Sequence, residues 1–389
     1  MRSEKPVFCQ VMEWVHPEQF RRCVQRYNGN HRIRNFPCWD QFLAMSFAQI
    51  TCRDSLADIE VCLRSRQDQL HRMGFRSTIA RSTLAEANSS RDWRIYQDLA
   101  QRLIARARRL YARESFGLEL EQAVYALDST TIDLCLSLFP WARFRSTKAA
   151  IKLHTLLDLR GPIPTMISIS EGKRADVSIL DELILEPGAF YVMDRGYVDF
   201  ARLYRFVWAG AFFVTRAKVN LQSSRLESRP VDQSTGVRSD QIIWLCLPRS
   251  IEHYPDRLRR ISYRDPENGK ALVFLTNNFD LPALTIAQLY KSRWRVELFF
   301  KWVKQNLKIK HFFGTSDNAV KTQVWIAICV YVLVAIVRKE LELELSLSQI
   351  IQVLSVNVFE QVPLAELVAK TASQDETSDC HNQLVLNMF

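Results

Sequence analysis

The chain has 389 residues, 48% of them hydrophobic and 24% charged, so it can bury a sizeable core, and a single small module is excluded. Its 52 Lys and Arg against 42 Asp and Glu give a formal charge of +10, which points to an acidic partner such as nucleic acid. The nine cysteines are scattered without a CxxC pair or a Cys/His cluster, which argues against a zinc module and reads as reduced thiols.

From the start to about residue 115 the pattern is helical. The opening "MRSEKPVFCQVMEWVHPEQF" lacks the apolar run of a secretory signal. "CWDQFLAMSFAQI" and "SLADIEVCLRS" carry apolar residues at three-and-four spacing, with Ser55 as N-cap of the second. In "RSTLAEANSSRDWRIYQDL", Thr83 with Glu86 fits a capping box, and Ser90 or Asp92 caps the long helix that follows. That helix stacks Arg102, Arg106, Arg109 and Arg113 at spacings of four, three and four, a basic stripe suited either to phosphate contact or to plain solvation.

At about residue 121 the texture changes. "QAVYALDST", "AIKLHTLLDL" and "TMISISEG" read as strands, the last two joined by the tight "RGPIP". "DVSILDELIL" reads as helix, "AFYVMDRGY" as strand and turn, "DFARLYRFVWAG" as helix and "AFFVTRAKV" as strand, an alternating α/β plan. A separate β-rich block without a strong helix spans 217–284, with strand-like "QIIWLCLPRS", "RLRRISYRD" and "ALVFLTNN". One long helix follows from near Thr285, then an apolar helix over 324–340 and another at "SLSQIIQVLSV". The run "VWIAICVYVLVAIV" is shorter than the roughly 20 residues that cross a bilayer, so it reads as a core helix of a soluble, cytoplasmic protein with no membrane partner. The tail after about 371 is polar and is expected to be disordered.

Three carboxylates stand out by position. Asp128 and Asp194 end apolar strands, and Glu297 lies within an expected core helix. Each alone has an ordinary explanation: Asp128 and Asp194 can shape turns, and Glu297 can pair with Arg293 or Lys301. Together they place one acid from each of three elements at a common point, and such a cluster repels itself unless cations intervene. Oxygen-only ligands select Mg²⁺ or Mn²⁺, and two such ions about 3.5–4 Å apart can activate an attacking water or hydroxyl in phosphoryl transfer. On a basic protein that chemistry means cutting or joining nucleic-acid strands.

In "YKSRWRVELFFKWVKQNLK", at about 100° per residue, Tyr290, Arg293, Glu297 and Lys304 fall within an arc of roughly 60°. The remaining faces, with Trp294, Val296, Leu298, Phe299, Trp302, Val303 and Leu307, are expected to pack the helix into the protein. Arg293 and Lys304 would then grip a phosphate backbone while Glu297 ligates a metal; the other reading of this face is an ordinary polar stripe.

The run Y-x2-R-x3-E-x6-K, met by these four residues, resembles the signature of the insertion-sequence-4 family of DDE transposases. "YALDSTTIDLC", "KLHTLLDL" and "FYVMDRGYVDF" likewise resemble that family's acidic regions, over about residues 120–330. The resemblance implies a ribonuclease-H-like mixed α/β sheet core with a β-rich insertion, preceded by an all-α N-terminal domain and followed by C-terminal helices. It divides the chain into a helical DNA-binding region at 1–115, core segments at 120–216 and 285–345 around the insertion at 217–284, and a C-terminal helix and tail at 346–389.

It further implies catalytic, metal-binding Asp128, Asp194 and Glu297. DNA contacts fall to Tyr290, Arg293 and Lys304, with Arg102, Arg106, Arg109 and Arg113 as N-terminal candidates. The substrate is double-stranded DNA, cut at transposon terminal inverted repeats and joined to target DNA. The chain is expected to act as a homodimer on that DNA in the bacterial cytoplasm, at the nucleoid. Related enzymes hold a flipped base with an aromatic from the insertion, for which Trp244 is the candidate, its other reading being a buried core tryptophan. His154, Lys148 and Lys152 lie near the first acidic region and are candidates for DNA contact or for surface solvation. Two other readings stay open: a nuclease on the same core without strand transfer, and a transposase-derived DNA-binding protein that has lost catalysis.

Overall fold

A computed structural model describes residues 5–306 and 312–369. They fall into two compact units, one from residues 5–110 with 302–306 and 312–369 and one from 111–301. In chain order the first six helices are α1 (Val7–Met12), α2 (Pro17–Arg26), α3 (Cys38–Ile50), α4 (Leu56–Arg64), α5 (Arg81–Ser90) and α6 (Arg94–Tyr111). Strands β1 (Val124–Leu134), β2 (Arg143–Arg145), β3 (Lys148–Asp158), β4 (Ile163–Glu171) and β5 (Phe190–Met193) come next. Helix α7 (Phe200–Trp208) leads to β6 (Phe212–Arg216), β7 (Ser223–Arg229) and β8 (Val237–Leu245). Helix α8 (Pro248–His253), β9 (Leu258–Arg264) and β10 (Ala271–Thr276) precede α9 (Ala283–Ser292), α10 (Trp294–Asn306), α11 (Asp317–Glu340) and α12 (Leu347–Asn357).

The helical unit is built around α11. All but the ends of this helix are buried, and it packs against α3 and α5. It is long and apolar enough to span a membrane, but it serves here as the core helix of the unit. Ser55 caps α4 by accepting from the Asp58 amide, as its position predicts. The Thr83–Glu86 box does not form: α5 starts earlier, at Arg81 after Ala80, which leaves both residues inside the helix. Of the two candidate caps for α6, Asp92 accepts from the Arg94 amide at 2.9 Å, whereas Ser90 donates back to Glu86. A full capping box of Ser346 and Gln349 opens α12.

In the second unit all ten strands form one mixed sheet in the order β2-β3-β1-β5-β6-β10-β9-β8-β7, with β4 also on β3. Only β1–β5 and β5–β6 pair in parallel, and the β5–α7–β6 crossover supplies the second of these. The central segments Val124–Leu127 and Phe190–Met193 are buried on both faces, which is why they read as unbroken apolar runs. Helix α7 buries Leu203 and Phe206 against Tyr191 and Phe213. At Gly161 any side chain would strike the Tyr111 ring, at 2.2 Å from an added Cβ, so the β3–β4 turn needs glycine there.

Four expectations are corrected. "DVSILDELIL" forms only a 3₁₀ segment, Asp176–Glu182. The segment 217–284 is not set apart, because β10 pairs with β6 and continues the same sheet. It also contains α8, and its edge strand β7 was missed because "SSRLESR" is polar and mostly exposed, as edge strands often are. The single long helix from Thr285 is two helices: Pro282 precedes the first, and the chain breaks at Arg293. There the Arg293 amide bonds to Tyr290 and the Val296 amide to Arg293, tight i→i+3 turns in place of the α-helical ladder. Leu307 and the tail from residue 370 lie outside the described residues.

Candidate active site

Strand register aligns the first two acids. Leu127 of β1 faces Met193 of the parallel β5, so Asp128 and Asp194, each the next residue, stand level. Asp194 follows the end of β5, but Asp128 does not end its strand as expected: β1 runs on to Leu134, held by its pairing with β3. Val192 faces Val214 of β6, which brings Arg216 level with Asp194 on the third parallel strand. Sequence reasoning missed Arg216, although its place at the end of "AFFVTR" in an alternating α/β plan was a usable signal.

Helices α9 and α10 approach this end of the sheet. Arg259 fixes where α9 begins: its guanidinium is 2% exposed, pairs with Asp240 and donates to the Leu281 carbonyl just ahead of Pro282. Tyr290, near the end of α9, donates its hydroxyl hydrogen to Asp194 Oδ1 at 3.1 Å, and its ring lies 4.9 Å from that of Phe274. Burial, followed by the pull of Arg293 downward and the push of Asp194 upward, raises the Tyr290 phenol to about 12. It therefore stays protonated and acts as a donor.

Arg293, at the break between the helices, reaches two acids. One terminal nitrogen donates to Asp128 Oδ2, and the other donates to Glu297 Oε1 at 2.8 Å. Burial moves the Asp128 carboxyl above the usual range; the Arg293 guanidinium works against that, while Glu297 and Asp194 add to it. Asp128 thus feels the charges of both Asp194 and Glu297, with a guanidinium between it and Glu297. Among the described residues no three His, Cys, Asp or Glu side chains converge tightly enough, as placed, to hold a metal ion. The donor set itself, carboxylate oxygens only, suits a hard divalent cation. Glu297 is more exposed than a core helix predicts, at 59% of its side chain.

A second layer lies behind Asp128. The Ser129 amide donates to Asp128 Oδ1 at 2.8 Å, and the Ser129 hydroxyl donates to Asp176 Oδ1 at 2.8 Å. Lys152 donates to the same Asp176 oxygen at 3.0 Å. His154, opposite Ser129 in the β1–β3 ladder, is fully buried, with Nε2 on the Ser170 hydroxyl at 2.9 Å. That burial removes His154 as a surface DNA contact. Lys152 is half-buried and engaged, and Lys148 is exposed. Neither Ser129 nor Asp176 carried a local sequence signal.

Other candidates fare differently. Of the residues expected to pack α10, Val296, Phe299 and Val303 are buried, but Trp294 and Leu298 are 51% and 45% exposed. Val296, Phe299, Phe300 and Val303 form one buried stripe of α10, and Trp294 and Leu298, four residues apart, lie on the opposite face. Lys304 lies seven residues beyond Glu297 on α10 and groups with the helical unit.

Trp244 sits at the wrong end of the sheet. Register carries the Arg216 row through Phe274 and Ile261 to Asp240, and Trp244 lies four residues past it, in the direction of the β6 start. On α6, Arg106 is committed internally: it pairs with Glu340 at 2.7 Å, donates to the Trp14 carbonyl and lies over the Trp14 ring. Arg102 sits against Cys23, Arg109 is exposed, and Arg113 lies beyond the helix end at Tyr111, off the stripe.

The transposase DDE domain model matches residues 119–333, and a domain of unknown function matches residues 3–76. The chain is 32% identical over 257 residues to the transposase y4zB of Sinorhizobium fredii, covering 65% of this chain and 70% of that one. It is 32% identical over 254 residues to a transposase for insertion sequence element IS5377 of Geobacillus stearothermophilus, covering 65% and 66%. It is 24% identical over 320 residues to a transposase for insertion sequence element IS4SA of Synechocystis, covering 81% and 87%. The family implies a DNA substrate and dependence on a divalent metal. With its matched segment spanning the acid-bearing sheet, the chain belongs to the DDE transposase family, enzymes that cleave and transfer DNA.

Proposed function

We propose that Asp128, Asp194 and Glu297 are the acidic triad that carries transposition, holding two Mg²⁺ or Mn²⁺ ions. The observation that carries this reading is the common location: two acids level on neighbouring parallel strands, and the third joined to the first through Arg293. When bound there, divalent ions supply Lewis-acid stabilisation for phosphoryl transfer.

The chain's own residues do the positioning. Ser129 orients Asp128 through its amide and is itself held by Asp176, which Lys152 neutralises. Tyr290 holds Asp194 in place as a neutral donor. Arg216, half-buried beside Tyr290 and level with Asp194, supplies a cation for a DNA phosphate, as do Arg293 and Lys304. Arg109, exposed on the helical unit, is a separate candidate for phosphate contact. The DNA is double-stranded, namely transposon terminal inverted repeats and then the target. The enzyme works on it as a homodimer in the bacterial cytoplasm, at the nucleoid.

The test is Asp128→Asn, which preserves shape and removes the charge. Metal-dependent cleavage of a duplex should fall to background while retention of that duplex in a gel persists. Unchanged cleavage would remove Asp128, and with it the triad, from the reaction.

A further inference from the structure

Arg293 occupies the acidic site. Arg293 donates to both Asp128 and Glu297, and its own side chain is 16% exposed. Its Nε is buried and has no hydrogen-bond partner among the described residues, so this arginine is only partly satisfied where it stands. One guanidinium therefore already supplies the positive charge that these two carboxylates require. A divalent ion placed between them would lie beside that guanidinium, and like charges in a half-buried site repel strongly. Either the ion stays out or the arginine leaves. What can take the arginine is a phosphodiester, whose oxygens accept two parallel N–H bonds in the geometry that suits a guanidinium.

We propose that Arg293 is a displaceable latch: bridging Asp128 and Glu297 it excludes the divalent ion, and a DNA phosphate that captures it opens the site, so ion and DNA bind cooperatively. The proposal rests on the reading of Asp128, Asp194 and Glu297 as the triad. Linkage makes the coupling reciprocal, so DNA raises ion affinity by the factor by which the ion raises DNA affinity. The device would keep the hydrolytic centre unassembled until DNA is in place.

The experiment is Mn²⁺ binding to the full chain, read by the spin-resonance signal of free Mn²⁺, with circular dichroism to verify folding. Arg293→Gln, and Arg293→Met as a second variant without hydrogen-bonding capacity, should bind Mn²⁺ about tenfold more tightly than wild type in the absence of DNA, within the usual span of coupling factors. Wild-type affinity should rise similarly on adding a duplex that the protein retards in a gel, and the variants should gain little. The latch is overturned if both folded variants bind Mn²⁺ no more tightly than wild type while Asp194→Asn removes binding. It is also overturned if the retarded duplex leaves wild-type affinity unchanged. If Asp194→Asn itself leaves Mn²⁺ binding intact, the triad reading is what fails.

Discussion

Tyr290 donates its phenolic hydrogen to Asp194 at 3.1 Å, joining the end of α9 to the end of β5. A hydrogen bond to a charged acceptor is worth about 1.5–3 kcal/mol, so Tyr290→Phe should slow cleavage roughly tenfold or more. The ring contact with Phe274 remains, and loss of the hydrogen bond alone should lower the thermal midpoint by a few degrees. A cleavage rate equal to wild type would show that Asp194 does not depend on this donor.

Asp176 acts on the site through Ser129. Asp176→Ala and Ser129→Ala should each raise the Mg²⁺ concentration for half-maximal cleavage by about 10–100-fold, the usual cost of removing a group that orients a ligand. Duplex retention should be unaffected. A metal dependence matching wild type in both variants would make the Ser129–Asp176 contact merely structural.

Arg259 and Asp240 form a buried pair, 2% and 5% exposed at the side chain, that joins β9 to β8 and anchors the approach to α9. Arg259→Met strands a buried carboxylate and should cost about 3–5 kcal/mol in denaturant unfolding. Replacing both, Arg259→Met with Asp240→Leu, should recover much of that loss. If the single variant is as stable as wild type, the pair contributes nothing to the sheet.

His154 is held neutral: burial pushes its imidazole down to about 4 from 6.5, with Asp176 pulling the other way. Between those values the unfolded chain binds the proton and the folded chain does not, so stability rises with pH. The contribution is intact above pH 6.5 and is lost as pH falls toward about 4, by at most roughly 3 kcal/mol. His154→Gln should flatten the urea midpoint across that window. An unaltered slope in the variant would assign the acid sensitivity to other groups.

The local pattern of residues determined a good deal by itself. Apolar runs located the central strands β1 and β5, and three-and-four spacing found the helices around them, because burial imposes those periods on any stable element. The acids Asp128 and Asp194 were legible as charges at the ends of such runs, and Glu297 as a charge in an otherwise apolar segment.

What the tertiary structure alone decided was pairing between residues far apart in the chain. The Arg293 link to Asp128 spans 165 positions, and no sequence period encodes it. Nor could spacing foresee the break at Arg293, or Asp176 set behind Asp128. Register had to place Trp244 at the far end of the sheet. Periodicity reports which face of an element is buried, whereas the partner across that face is fixed by packing, register and charge compensation once the elements have met.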